Sequence, residues 1–346
     1  MKIMDDKDKS EIVIYGVGAI GASIGGLLNP HYDKLYLLAR GENAKVLKSK
    51  GLTLYQKVNN NPEPIRVNVI EDLSEKPTAD VVVIVVKNYD LEEVAKDIIL
   101  KLGDKPIIVA LQNGVENQKI LPKYFTKVIY GVIAFSAWRD EPGVFGYRDK
   151  GQILLGTIDN SLQSTMEIVS QIFNLGFPTK ITQRLQDAAH SKMIMNLGNS
   201  ILTLINFKYD KITSISKLRK VLIGLFGEGI EIIQAAGYKE HKLKGLPSWK
   251  VLDVLNNAPD DKADDLFKQN MKQVGVNSMM QDMILRQKNQ SELESLNGYF
   301  IKLADSLGIE APFNKTIYQL CKKQFNKRPF QPLDIDVVWN KINENL

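Results

Sequence analysis

Residues 11–21 read EIVIYGVGAIG. The apolar run Glu11–Tyr15 is a short strand signal, and it stops at a glycine cluster that opens a helical segment. Gly16, Gly18 and Gly21 form G-x-G-x-x-G. A strand before it and a helix after it are the context in which this pattern binds a dinucleotide. Gly16 permits the tight turn, Gly18 lets the backbone approach a pyrophosphate, and Gly21 lets the helix pack closely on the sheet. The phosphates would lie at the positive end of the helix and take N–H groups from this turn, those of Ala19 and Ile20 included.

Outward from this turn, strand and helix signals alternate. Further apolar runs fall at Lys34–Ala39, Asp80–Val86, Pro106–Ala110, Val128–Ala134, Gln152–Leu155 and Pro178–Thr182. Helical patterns fall at Leu91–Leu102 and Leu162–Leu175. Asp80–Val86 is β-branched almost throughout, as expected of a strand buried on both faces. The spacing predicts an α/β Rossmann domain with a mostly parallel sheet over 1–183. After about residue 183 the strands give way to long helical patterns at Arg184–Ile205, Ser214–Ala236, Met279–Leu307 and Pro312–Phe325. Residues 184–346 are therefore read as an all-α domain, with the tail from Arg328 left unassigned.

Composition narrows the function. A chain of 346 residues favours two domains. The net charge of +5 comes from 45 basic and 40 acidic residues, dispersed and without a basic stripe, which argues against nucleic acid as a partner. The single cysteine, Cys321, excludes an internal disulfide and suits a reducing compartment. The first ten residues are polar, so no leader is expected. No stretch approaches the roughly 20 apolar residues needed to cross a bilayer. A cytoplasmic protein with a small-molecule substrate is the expectation, and the apolar faces of the back half leave room for a homodimer.

The end of the second strand reads Leu38-Ala39-Arg40-Gly41. NAD enzymes place an acid there for the ribose 2′-hydroxyl, and NADP enzymes place an arginine nearby for the 2′-phosphate. Arg40 therefore points to NADP, since a guanidinium grips phosphate bidentately. Lys87, read as ending the Asp80–Val86 strand, and Asn113, after Pro106–Ala110, fall where parallel strands deliver their carboxyl ends to a ligand crevice. A charge reaching solvent and a turn residue before Gly114 are their plainer readings. His31, His190 and His241 form no cluster with cysteine or acid, so no metal is expected.

In this order the residues resemble the ketopantoate reductases (2-dehydropantoate 2-reductases) over nearly the whole chain, to about residue 325. The resemblance rests on GVGAIG at 16–21, LLARGE at 37–42, VVKNYD at 85–90, LQNGVEN at 111–117, SKMIMNLGNS at 191–200, SMMQD at 278–282 and SELESLNG at 291–298. It implies a Rossmann domain followed by an all-α domain, with an active site in the cleft between them and NADPH as cofactor. It implies that Arg40 holds the 2′-phosphate and that Lys87 and Asn113 line the cofactor and substrate region. Lys192 resembles the catalytic lysine, Asn196 the substrate-orienting asparagine, Ser278 the hydroxyl for the substrate carboxylate, and Glu292 the acid that contacts the substrate hydroxyl. Where relatives often carry a second asparagine, this chain has Ser200, a further candidate substrate contact. FGYRDKG at 145–151 lacks a histidine that many members carry.

Reduction of a ketone needs a hydride and a proton. Lys192 and Asn196 are spaced i, i+4 and share one helix face. The lysine can stabilise a developing alkoxide and then donate a proton, and Asn196 can donate to the carbonyl or the carboxylate. A buried Glu292 would select 2-oxo acids that carry a hydroxyl. Compared with some members of the family it resembles, the stretch between SMMQD and ELESLNG is about two residues longer, which in a continuous helix would rotate Glu292 by about 200°. Either a loop absorbs the excess or Glu294 is the functional acid. The expected activity is NADPH-dependent reduction of 2-dehydropantoate to pantoate, on the route to pantothenate and coenzyme A. The alternatives are reduction of another small 2-oxo acid, or NADP sensing without turnover.

Overall fold

A computed structural model describes residues 10–56, 62–272 and 274–346. The leader question raised by the first residues therefore lies outside the described residues. The chain divides into two compact units, Met1–Gln186 and Asp187–Leu346.

The first unit runs β1 (Ile12–Tyr15), α1 (Ala19–Leu28), β2 (Leu35–Leu38), α2 (Gly41–Lys50), β3 (Thr53–Gln56), β4 (Asn68–Ile70), β5 (Val81–Ile84), α3 (Leu91–Leu102), β6 (Ile107–Ala110), α4 (Asn117–Ile120), β7 (Val128–Ala134), β8 (Ala137–Glu141), β9 (Val144–Tyr147), β10 (Gln152–Gly156), α5 (Gln163–Phe173) and β11 (Thr179–Ile181). Among the described residues eight strands form one sheet in the order β11-β10-β7-β6-β5-β1-β2-β4. Its pairings are parallel except β10 with β7. The central strands β1 and β5 are buried at every position, as their unbroken Val/Ile runs require. The sheet order reverses around β1, between β5 and β2, and such a switch point opens a ligand crevice at the strands' carboxyl ends.

Four strands escaped the reading of apolar runs. β3, β9 and β8 form a separate three-stranded sheet, and β4 sits at the edge of the main one. TLYQ, AWRDE and NVI are short and half polar, so they carry no buried-strand signal. β5 also ends earlier than read: Lys87 lies three residues past Ile84 and caps a 3-10 turn at Asn88–Asp90.

The second unit is helical, with α6 (Leu185–Leu204), α7 (Ile215–Ala235), α8 (Trp249–Asn257), α9 (Asp260–Met271), α10 (Ser278–Met280), α11 (Tyr299–Leu307), α12 (Pro312–Phe325) and α13 (Ile335–Asn343). Ser214 starts α7 by accepting from the Lys217 amide. The unassigned tail becomes α13, which buries Ile335, Val338 and Ile342 at helical spacing. The stretch Met279–Leu307 is not one helix. α10 continues into a π turn at Gln281–Leu285, the helix breaks over 286–291 with Gln287 in the left-handed region (φ 48°), and a second π turn at Glu294–Gly298 leads into α11. π turns mark a surplus residue inside a helix.

Candidate functional site

In the first unit the glycine turn is built around positions where no side chain fits. Gly16 has φ +107°, and a Cβ there would meet Val86 Cγ1 at 2.9 Å. A Cβ on Gly21 would stand 2.1 Å from the Gly16 carbonyl oxygen. Gly18 is the opposite case, since nothing lies within 4 Å of the position its Cβ would take. Gly18 also begins α1, with no side chain capping the helix and no acid in its first turn. The first-turn N–H groups, those of Ala19, Ile20 and Gly21, have no intrahelical acceptor. A turn that is closed behind and open at Gly18, with uncapped N–H groups, fits a pyrophosphate. Asn43 braces it from the side: its Nδ2 donates to the Val17 carbonyl (3.0 Å) and its Oδ1 accepts from the Gly143 amide (2.9 Å).

Arg40 lies just past β2 with 60% of its side chain exposed. Its Nη2 donates to the Tyr15 hydroxyl at 2.8 Å and stands 3.8 Å from Asp97 Oδ2. Lys87 and Asn113 are half-buried in the loops that follow β5 and β6. Three amides hold those loops together. Asn88 Nδ2 donates to the Asn113 carbonyl (2.7 Å), Gln112 Nε2 to the Ile84 carbonyl (2.8 Å), and Asn117 Nδ2 to Gln112 Oε1 (3.1 Å). Asn88 and Asn117 stand inside the quoted VVKNYD and LQNGVEN segments. Their bracing role was hidden because it depends on contacts 25 and 5 residues away.

In the second unit Lys192 and Asn196 lie one turn apart on α6, both half-buried. Asn196 Nδ2 is buried and has no hydrogen-bond partner among the described residues. Such a donor costs roughly 1–3 kcal/mol while unpaired. The flanking turn of α6 is anchored: Asp187 accepts from the Lys239 amide (2.9 Å) and Ser191 Oγ from the His241 amide (2.9 Å). His190 is buried, stacks on Tyr238 at 4.0 Å, and shares a 2.7 Å hydrogen bond with the Tyr299 hydroxyl. Burial pushes that phenol up to about 12, so it stays protonated near neutrality.

Ser278 is the first residue of α10, whose cap Asn277 accepts from the Met280 amide (2.9 Å). Asn277 reaches the Asn199 carbonyl (3.5 Å) and Thr203 Oγ1 (3.4 Å), which holds the start of α10 against α6. Ser200 lies one turn beyond Asn196 on α6. It has no exposed surface, and its hydroxyl donates to the Leu197 carbonyl at 2.7 Å. A loop over 286–291 interrupts the helix ahead of both candidate acids. Glu292 is 4% exposed, whereas Glu294 is exposed and accepts from the Tyr318 hydroxyl. Among the described residues no cluster of His, Cys, Asp or Glu could hold a metal ion, and no helix is long and apolar enough to cross a membrane.

Comparison with known proteins agrees with this layout. Residues 12–160 match the family model described as ketopantoate reductase PanE/ApbA, and residues 184–324 match the model of its C-terminal part. A 2-dehydropantoate 2-reductase of Archaeoglobus fulgidus is 27% identical over 90% of this chain and 96% of its own length. The dimeric ketopantoate reductase of Staphylococcus aureus shares the fold at TM-score 0.66 and 19% identity, over 92% of this chain and 99% of its own. D-mandelate dehydrogenase, solved with NADH and anilino(oxo)acetate, shares it at TM-score 0.72 and 15% identity, over 96% and 99%. The glycine turn and the Lys-Asn helix face thus stand in a chain that belongs to the ketopantoate reductase family, NADPH-dependent oxidoreductases that act on a ketone.

Proposed function

We propose that this chain reduces 2-dehydropantoate to pantoate with NADPH, on the route to pantothenate and coenzyme A. The observation that carries the reading is the buried, unpaired Nδ2 of Asn196 on the α6 face it shares with Lys192. An unpaired donor is tolerated where a ligand completes it, and a ketone or carboxylate oxygen is the acceptor that this chemistry calls for.

Bound NADPH supplies the hydride. The first unit would hold it through the open glycine turn, from Gly16 and Gly18 through Ala19, Ile20 and Gly21, with Arg40 on the 2′-phosphate and Lys87 and Asn113 beside the reacting end. Lys192 stabilises negative charge as it develops on the substrate oxygen and then protonates that oxygen. Asn196 Nδ2 orients the carbonyl or carboxylate, and the Ser278 hydroxyl donates to the carboxylate. Glu292, which is buried, accepts from the substrate hydroxyl and so favours 2-oxo acids that carry one. On this reading residues 1–183 are the NADP-binding domain and 184–346 the substrate domain.

The test is steady-state oxidation of NADPH with 2-dehydropantoate, expected at kcat/KM of about 10⁴ M⁻¹s⁻¹ or more. Turnover with other 2-oxo acids alone would move the assignment to the second reading. The missing second asparagine at Ser200 and the fold shared with D-mandelate dehydrogenase favour that reading over any other alternative. Tight NADP⁺ binding with no turnover on a keto-acid panel would leave a sensor. We also propose a homodimer, consistent with the dimeric Staphylococcus aureus relative and with exposed Val251, Val254 and Leu266 on the helical unit. Light scattering that gives a monomer mass would remove it.

A further inference from the structure

Arg40 is steered by a chain of side chains behind it. The Tyr15 hydroxyl accepts from Arg40 Nη2 (2.8 Å) and donates to Asp97 Oδ2 (2.7 Å). The guanidinium carbon stands 5.6 Å from the Tyr15 ring centroid. Asp97 Oδ1 is ion-paired with Lys101 Nζ at 2.8 Å, and the same ammonium reaches Asp72 Oδ2 at 2.6 Å. All of these residues belong to the first unit. Tyr15 ends β1 and directly precedes Gly16, so its side chain is carried by the strand that delivers the glycine turn.

The order of donors in this relay is fixed. Burial, together with the Asp97 carboxylate, raises the Tyr15 phenol well above its ordinary value, so it remains a neutral hydroxyl. A neutral hydroxyl has one proton, which goes to Asp97, and a lone pair, which goes to Arg40. Asp97 does not form a bidentate fork with Arg40, because it is engaged by Tyr15 and Lys101. Arg40 is thus oriented by one hydrogen bond, one aromatic face and a 3.8 Å ion pair with Asp97, while most of its planar set of donors stays open to solvent. A long exposed arginine loses rotamer entropy when it grips a ligand, and prior orientation reduces that loss.

We infer that Tyr15 and Asp97 are positioning residues that pre-orient Arg40 for the cofactor's 2′-phosphate and so set the preference for NADP over NAD. This rests on the NADP reading of Arg40. The aspartate beside the arginine is a support for it, and not an acceptor for a ribose hydroxyl.

Calorimetric titration of the apoprotein with NADP⁺, NAD⁺ and 2′,5′-ADP tests this without turnover. The wild type should bind NADP⁺ tighter than NAD⁺. Tyr15→Phe should raise the Kd for NADP⁺ and 2′,5′-ADP about 5- to 10-fold, or about 1–1.4 kcal/mol at 1.4 kcal/mol per tenfold. The Kd for NAD⁺ should stay within about twofold. In an Arg40→Ala background the Tyr15→Phe effect should vanish, as it must for a residue that acts only through Arg40. Additive effects, or equal losses for both cofactors, would overturn the proposal. Asp97→Ala is a second, independent variant. Positioning requires NADP⁺ to bind more weakly, while simple charge removal beside a phosphate would tighten it, and tightening counts against the proposal. A wild type with no preference for NADP⁺ would overturn the NADP reading and this inference together. A preference that survives Tyr15→Phe unchanged would overturn the inference alone.

Discussion

On the proposed function, the glycine turn at 16–21 would present backbone to its ligand and the α6 face at 192–196 would present side chains. In the first unit three glycines do their work by what they lack: a Cβ at Gly21 would overlap a carbonyl, and one at Gly18 would fill the open side. In the second unit the proposed chemistry would hang on a lysine, an asparagine and a buried glutamate, whose directions depend on helix phase. A backbone site is written in residue spacing. A side-chain site is written in spacing and in every break that shifts the phase before it.

Five substitutions sharpen or break this contrast, the first four running from the largest effect to the smallest. Gly21→Val forces a carbon against the Gly16 carbonyl. Overpacking against backbone, at about 3 kcal/mol or more, should lower the melting temperature by roughly 6–12 °C and abolish measurable NADP⁺ binding. Wild-type binding would show that the turn tolerates a side chain and is not the cradle described. Lys192→Ala should lower kcat by about 10²-fold or more, the scale of a lost general acid, with NADP⁺ affinity retained in titrations. Near-normal turnover removes it from the proton transfer.

Asn196→Leu should separate function from stability. Removing a buried donor that lacks a partner stabilises by about 1 kcal/mol, so the melting temperature should rise by roughly 2–4 °C while kcat/KM falls. A lower melting temperature would mean that the amide is structural. The smallest effect belongs to Glu294→Gln, where kcat/KM should stay within about twofold, because this acid is exposed and bonded to Tyr318. Glu292→Gln, in contrast, should raise KM for a hydroxylated substrate. If the two results were exchanged, the phase assigned across 286–291 would be wrong.

Much of the first unit was legible because fully buried strands have only one kind of residue to use. Val81–Ile84 and Ile12–Tyr15 could be nothing else. The half-polar strands of the small sheet were not legible, since TLYQ and AWRDE satisfy loop and strand alike. The candidate cofactor residues were readable from spacing, but their supports were not. Tyr15, Asn43, Asn88 and Asp97 act across 25 to 100 residues of sequence. On α6 the i, i+4 pairing of Lys192 and Asn196 was readable, whereas the burial of Ser200 one turn further on was not. Periodicity says which face a residue occupies, and neighbouring helices decide whether that face is open.

Cys321, the chain's single thiol, has no exposed surface and donates to the Ser200 carbonyl at 3.6 Å. Maleimide dyes will therefore meet a silent background. One engineered surface cysteine in each unit can carry a donor and an acceptor fluorophore, and energy transfer between them would follow the enzyme through its working cycle without first removing a native thiol.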